Sequence, residues 1–310
     1  MTSVSTSGFY DAAIYNMNAM QTQVNNLQES ISTGLQFQSS NSNPGAAAQM
    51  RALQLGDTLA AANTSNADAA KTTLSLADTT LSQITSAIGQ VQTLATQAAS
   101  GTLNDSQRAS IGIQVNQLFQ NLTSLANTQD TNGTYLFGGN GAGPAYSTSG
   151  TTATYTGGSS ANTVSLGGGL TVTTGVTGPQ VFNYTDASGN AQNLLSVVGN
   201  LAAALQATNT GTGSTTTAQA AAQTALGQLN SGLAQVSSAQ TIVGARENWV
   251  TTTQTVQTQL DQQRSTSESN VGDTDIAAAV SRLQQATTIL SAAQATFVKV
   301  AGMSLFSLLQ

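Results

Sequence analysis

Apolar residues in the first stretch of the chain return at steps of three or four: Tyr10, Ile14, Met17, Met20, Val24, Leu27 and Ile31. That spacing places them on one stripe of a helix, the seam through which one helix packs along another. It predicts an amphipathic helix that ends near Gly34. The segment Gln38–Gly45 is crowded with turn formers, and Pro44 disfavours the helical region for Asn43. A second helix is therefore expected to start near Ala46. From Leu74 the alternation becomes strict, through Ala77, Leu81, Ile84, Ile88, Val91 and Leu94 or Ala95. Gly101-Thr102-Leu103-Asn104-Asp105 interrupts it, with Asn104 as a predicted N-cap. Ile111, Val115, Leu118, Leu122 and Leu125 then carry the same pattern to about Gln129.

Between Asp130 and Val181 the period changes from that of a helix to that of short strands. The runs Thr152-Ala153-Thr154-Tyr155 and Leu170-Thr171-Val172-Thr173 are β-branched, with Gly157-Gly158-Ser159 and Gly167-Gly168-Gly169 as turns between them. A small antiparallel β insert is expected, lying outside the helical packing; a flexible Gly/Ser/Thr linker is the competing reading. Leu194, Leu195, Val198, Leu201 and Leu205 predict a short helix. A long helical arm follows through Ala222, Leu226, Leu229, Leu233, Val236, Ile242, Arg246, Val250 and Leu260. A polar break is expected from Ser265 to Thr274. The last helix sets Ile276, Val280, Leu283, Thr287, Leu290, Gln294 and Phe297 at 4-3 spacing.

Helical seams at both ends thus flank a β insert, which predicts a mainly α protein: an elongated helical bundle made by N- and C-terminal arms packed together, with a small antiparallel β domain in the middle. The domain boundaries read from this pattern are residues 1–40 and 270–310 for terminal coiled-coil arms, 44–139 and 216–269 for a helical core, and 140–215 for an outward-facing insert. The arms lie beyond polar breaks, and an isolated helix of their length is marginal in water. They are read as assembly elements. The expected interface residues are Ile14, Met17, Val24, Leu27 and Ile31 on the first arm, and Leu283, Leu290, Phe297, Leu305, Phe306, Leu308 and Leu309 on the last.

Composition narrows the chemistry. Only 6% of the 310 residues are charged, and His and Cys are absent. The groups most used for base catalysis near neutral pH, thiolate chemistry and zinc ligation are therefore missing. With seven basic residues and a net charge of −6, a phosphate-neutralising nucleic-acid surface is not expected. The first residues lack a basic and an apolar region, so a cleaved secretory signal is not expected. No apolar run approaches the roughly 18 residues of a membrane span.

Isolated motifs reduce to structural roles. Gly139-Asn140-Gly141-Ala142-Gly143 has no following Lys, and Pro144 lacks a backbone donor, which argues against a phosphate loop. Asp273 and Asp275, near Glu268, read as capping acids at the start of the last helix rather than cation ligands. The N-x-S/T sites at Asn63, Asn104, Asn121, Asn132 and Asn183 are expected by chance in so Ser/Thr-rich a chain. Ser and Thr without His make no triad, and nothing supports a Ser–Lys dyad at Lys71 or Lys299. Trp249 is expected in a core or an interface. Arg246 is read either as a solvated surface residue or as a partner for a carboxylate at Asp57, Asp68 or Asp78.

Several of these segments resemble a known family. Ile31-Ser32-Thr33-Gly34-Leu35, followed by Asn43-Pro44-Gly45-Ala46-Ala47-Ala48, resembles the N-terminal region of bacterial flagellins and their junction proteins. Asn127-Thr128 with Asn132-Gly133-Thr134-Tyr135-Leu136-Phe137-Gly138-Gly139 is similar to the signature of the hook-filament junction members, the FlgL-like hook-associated proteins. Val243-Gly244-Ala245-Arg246-Glu247-Asn248 and Ser304-Leu305-Phe306-Ser307-Leu308-Leu309 are similar to elements of that family's C-terminal region. The resemblance implies a structural, non-enzymatic flagellar protein without cofactors, exported unfolded by the flagellar type III apparatus and located outside the cell. It implies self-association in a ring or tube through the paired terminal helices, and an outward-facing insert. The implied partners are a FlgK-like protein on the hook side, flagellin on the filament side and an export chaperone, with no nucleic acid and no membrane insertion. Flagellin itself is the alternative within the family. A coiled-coil adhesin or phage fibre is the alternative outside it.

Overall fold

The computed structural model describes residues 3–36, 43–186, 188–207 and 214–306. Its helices are α1 (Ser3–Thr33), α2 (Pro44–Ala98), α3 (Asp105–Ala126), α4 (Gly178–Phe182), α5 (Leu194–Gln206), α6 (Ser214–Gly272) and α7 (Ile276–Phe306). The strands are β1 (Tyr146–Ser149), β2 (Thr152–Tyr155), β3 (Thr163–Gly167), β4 (Leu170–Thr173), β5 (Asn183–Thr185) and β6 (Ala191–Asn193). They form three antiparallel two-stranded ladders, β1–β2, β3–β4 and β5–β6. The chain is thus α-rich with a β insert, as its sequence pattern predicts. Two compact units divide it: Met1–Thr58 with Gln259–Gln310, and Leu59–Thr258. These divisions fall further into the long helices than the boundaries at 40 and 270 read from the polar breaks.

In the unit Leu59–Thr258, the strict seam of α2 is the centre of the core. Leu74, Leu81, Ile84, Ile88 and Val91 are all fully buried, and they cluster with Val115 and Leu122 of α3 and Leu229, Val236, Val243 and Val250 of α6. Burying each such side chain contributes about 1.5–3 kcal/mol. Amide side chains fix the antiparallel register of α2 and α6. Gln92 Nε2 donates to Asn230 Oδ1 at 3.0 Å, and Gln254 Nε2 to Asp68 Oδ1 at 2.7 Å.

The turn from α2 to α3 is closed by side chains. Asn104 Oδ1 accepts from the Gln107 N–H at 2.8 Å while Gln107 Oε1 accepts from the Asn104 N–H at 3.0 Å, a reciprocal capping box. Arg108 is wholly buried and satisfies the end of α2, its guanidinium donating to the Ala98 carbonyl at 3.1 Å and the Ser100 carbonyl at 2.7 Å.

The insert is not peripheral to this packing, contrary to the sequence expectation. Leu166, Val172, Val176, Val181 and Phe182 lie in the same buried cluster as the seams of α2 and α6. Small polar side chains of the helices also bind the hairpin's backbone: Asn66 Nδ2 donates to the Ser165 carbonyl at 3.1 Å, and Gln257 Nε2 to the Leu166 carbonyl. Helix α5 packs on α3, where Gly112 admits Leu205 and Gln206. A Cβ at Gly112 would come within 2.9 Å of both side chains. Among the described residues Arg246 meets no carboxylate; its guanidinium donates to the Gly175 carbonyl at 2.8 Å and so ties α6 to the insert. Asp68 is taken by Gln254, and Asp57 by Arg264.

The expected break over Ser265–Thr274 is confined to Asp273–Asp275, since α6 runs to Gly272. Hydroxyls in this stretch turn back on the helix: Thr266 Oγ1 donates to the Gln262 carbonyl and Ser267 Oγ to the Gln263 carbonyl, both at 2.9 Å. The hydroxyls of this stretch are thus satisfied on their own helix, although such back-bonding does not itself stabilise a helix.

Candidate assembly interface

The unit formed by residues 1–58 and 259–310 is organised around the α1–α7 pair. Gly34 ends α1 in the left-handed region, at φ 73°, with its N–H donating to the Ser30 carbonyl at 2.9 Å. The chain leaving α1 then pairs with the link before α7. The Gln36 N–H donates to the Gly272 carbonyl, and the Thr274 N–H to the Gly34 carbonyl, each at 2.8 Å. Asp275 Oδ1 caps α7 by accepting from the Ala278 N–H at 3.1 Å, the capping role read from the sequence. Asn43 caps α2 similarly, accepting from the Ala46 N–H at 3.1 Å, with Pro44 at the first helical position. These links hold α1 and α7 side by side.

Their shared core is thin. Val24, Ala286 and Leu290 are buried in it, flanked by half-buried Met17, Met20, Leu27 and Leu283. Tyr10 and Phe297 meet edge to face, with ring centres 5.6 Å apart. Of the interface residues expected from the sequence, Val24 and Leu290 therefore face the other arm of the same chain. Met17, Leu27, Leu283, Ile31 and Phe297 are partly buried, and Ile14 is exposed. Leu305 and Phe306 belong to the last turn of α7, and their side chains lie outside the description, as do Leu308 and Leu309 altogether.

The apolar surface that the pair leaves open was missed by the seam reading. Phe9, Tyr15, Ile289 and Val298 are 51%, 75%, 53% and 69% exposed. They sit off the 3-4 seam, and their signal in the sequence was apolar residues outside the expected stripe. An open groove of about 530 Å³ runs between the helices, with Met17, Met20 and Ile289 among its lining residues.

One ionic cluster braces the same unit. Arg264 Nε donates to Asp57 Oδ1 at 2.9 Å and the guanidinium also binds Asp261. Its hydrogen bond holds the Asp57 carboxyl below the usual range. Asp57 in turn pushes Glu268 above its usual range, because the two carboxyl groups share a hydrogen bond and repel when both are ionised. Among the described residues no group of acidic side chains is arranged to hold a metal.

The family signature around Asn127–Gly139 lies in the other unit and is a structural joint. Asn127 follows α3, and its side chain clasps Tyr146 of β1, accepting from the Tyr146 N–H and donating to the Tyr146 carbonyl, both at 2.9 Å. Asp130 Oδ1 accepts from the N–H groups of Asn132 and Thr134 at 2.8 and 2.9 Å, closing the turn. Leu136 and Phe137 then enter the core, where Phe137 meets Phe182 edge to face at 6.0 Å. Gly139, at φ 58°, lets the backbone stack on the loop opposite; a Cβ there would lie 2.7 Å from the carbonyl oxygens of Gly158 and Ser160. Backbone packing therefore explains Gly139, and also Gly141, where a Cβ would lie 2.8 Å from the Gly158 nitrogen.

Residues 4–142 match the model of the bacterial flagellin N-terminal helical region. The chain is 31% identical over 222 residues to flagellar hook-associated protein 3 of Salmonella typhimurium, covering 67% of this chain and 68% of that protein. It is 30% identical over 188 residues to flagellar hook-associated protein 3 of Escherichia coli, covering 57% and 58% respectively. A putative flagellar hook-associated protein from Vibrio parahaemolyticus has a similar fold, with a TM-score of 0.66 at 21% identity over 75% of this chain and 100% of that one. The chain belongs to the flagellar hook-associated protein 3 family, with the helical N-terminal region of the flagellins.

Proposed function

We propose that the protein is a structural component of the bacterial flagellum that joins the hook side to the flagellin filament. The observation that carries this reading is the sequence similarity to two hook-associated proteins 3, which spans helices and insert alike. The α1–α7 pair supports it physically: its own core is small and it leaves large apolar side chains in solvent. Such a pair gains most of its stability when neighbouring subunits cover those faces. On this reading the arms, with Ile14 and the segment Leu305–Leu309, bind other copies in a ring or tube. A FlgK-like protein lies on one side and flagellin on the other, and the chain travels unfolded through the export apparatus with a chaperone.

In this reading the role is mechanical. Immunogold labelling of isolated flagella tests it. The expected result is a single band of label at the hook boundary; label along the whole filament would instead assign the protein as a flagellin.

A further inference from the structure

Within the unit Leu59–Thr258 a ridge and a hollow, both lined by uncharged residues, have no partner among the described residues. The first is a ridge on α6. Ile242, Trp249 and Val256 recur every seven residues and are 43%, 46% and 49% exposed, with exposed Ala245 and Thr252 between them. This is seam spacing facing solvent. The second is a hollow between α2 and α3, about 480 Å³ in its larger part. Leu94, Leu118 and Leu125 form its floor, and Gln90, Gln114 and Gln117 form its walls.

We propose that the α6 ridge of one copy seats in the α2–α3 groove of the next, giving the assembly a second contact beside the terminal arms. The inference rests on the reading that copies of this chain associate. Charge selects the occupant. No charged residue lies on α2 between Ser82 and Leu94 or on α3 between Gln114 and Leu125, and only Arg246 and Glu247 are charged from Ser238 to Val256. A charged helix entering the groove would lose its hydration without gaining a counter-charge. A neutral, amide-rich helix loses nothing comparable, and this chain, 6% charged, carries one.

Register shows why one copy cannot satisfy its own groove. The pairs Gln92–Asn230 and Gln254–Asp68 put Trp249 level with Thr73 of α2, while the groove centres near Gln90. At the helical rise the two surfaces are about 25 Å apart along the bundle. Contact between ridge and groove joins two different patches, so unless a two-fold axis pairs both at once it is head to tail, a geometry that propagates into rings or helical arrays. Parallel neighbours joined in this way are staggered by that distance.

The chain contains no Cys and a single Trp, so both readouts are clean. The full-length protein is driven to associate with sulfate, which strengthens apolar burial, while sedimentation and Trp249 emission are followed together. Emission is expected to shift to the blue as association proceeds, and Trp249→Lys, with its fold checked by circular dichroism, is expected to associate about tenfold more weakly or worse. In a second arm, Ala245→Cys and Gln117→Cys proteins are oxidised separately and mixed. Disulfide dimers are expected chiefly in the mixture. Association with Trp249 still solvated, or equal cross-linking in the unmixed samples, would overturn the ridge-and-groove contact alone. No association at any concentration would overturn both it and the assembly reading.

Discussion

The seams of α1 and α2 are written in the same spacing, yet their environments differ sharply. From Leu74 to Val91 the seam leucines, isoleucines and valine of α2 are fully buried, whereas in α1 only Val24 among the seven seam residues is buried. The difference lies in how many surfaces each helix meets within its unit. Helix α2 is covered by α3, α6 and the insert, while the core of the arms consists of one helix face against another. A 3-4 alternation therefore reveals that a helix has a partner, and leaves open how completely the partner covers it.

Cutting an apolar side chain from each seam separates the two environments most strongly. Leu81→Ala removes a fully buried group and is expected to cost about 2–5 kcal/mol of the larger unit's stability. Val24→Ala removes less from a thinner core and is expected to cost about 1 kcal/mol of the arms' stability. Amide exchange resolves the two regions separately: in the isolated protein, amides of Leu74–Val91 are expected to exchange slowly and those of α1 and α7 quickly. Strong protection of α1 and α7 in the monomer would show that the pair is a closed element in its own right.

An intermediate effect is expected from the insert's tyrosines, which test whether its core is as dry as that of the helices. Burial pushes the Tyr184 phenol up to about 12, with the nearby Asp186 charge adding to the effect, and pushes Tyr146 higher still. A raised folded-state value means that the neutral phenol is favoured by folding. This stability is complete below the unfolded value near 10 and is lost as pH rises through the folded one. Circular dichroism and tyrosinate absorbance should therefore show the insert failing between about pH 10 and 12. Tyr184→Phe should reduce that loss while remaining neutral or stabilising at pH 7, because the Tyr184 hydroxyl has no hydrogen-bond partner. Clear destabilisation by Phe at neutral pH would mean that the hydroxyl is satisfied by water.

How much was legible follows from what kind of interaction each element uses. The core of α2 and α3 was readable because it depends on periodic apolar residues, and the Asn104 cap because a local motif forms it. The insert's burial was not, since Leu166, Val172 and Phe182 are scattered among glycines and hydroxyls and meet the helices only through long-range folding. The role of Arg246 was left open for the same reason: its partner is a backbone carbonyl at Gly175, and carbonyls leave no trace in residue type. The polar tail of α6 looked like a break because Ser and Thr are weak helix formers. Their bonds to carbonyls one turn back, as at Thr266, are invisible to a hydrophobicity pattern. In the arms Val24 and Leu290 of the seam pack against the other arm of the same chain, whereas the exposure of off-seam Phe9, Tyr15 and Val298 is set by where the partner helix lies.

The ionic cluster beside the arms responds slightly to pH. Glu268 is held above its ordinary range chiefly by its hydrogen bond with Asp57, whereas Asp57 is held below its own by Arg264. Signs follow from linkage. The Asp57 contribution is present above its unfolded value and lost as pH falls through the folded one, while the Glu268 contribution is present below its unfolded value and lost as pH rises through the folded one. At pH 7 Asp57 therefore stabilises the unit and the ionised Glu268 opposes it. Glu268→Gln keeps a hydrogen-bonding group and removes the repelling charge, so a slight rise in the denaturant midpoint of the arms is expected at pH 7, vanishing in acid. Asp57→Asn should lower that midpoint at pH 7, because Arg264 loses its closest partner outside its own helix. A fall with Glu268→Gln at neutral pH would show that Glu268 serves chiefly as a second counter-charge for Arg264, and that the brace of the arms is a shared ion pair with no opposing member.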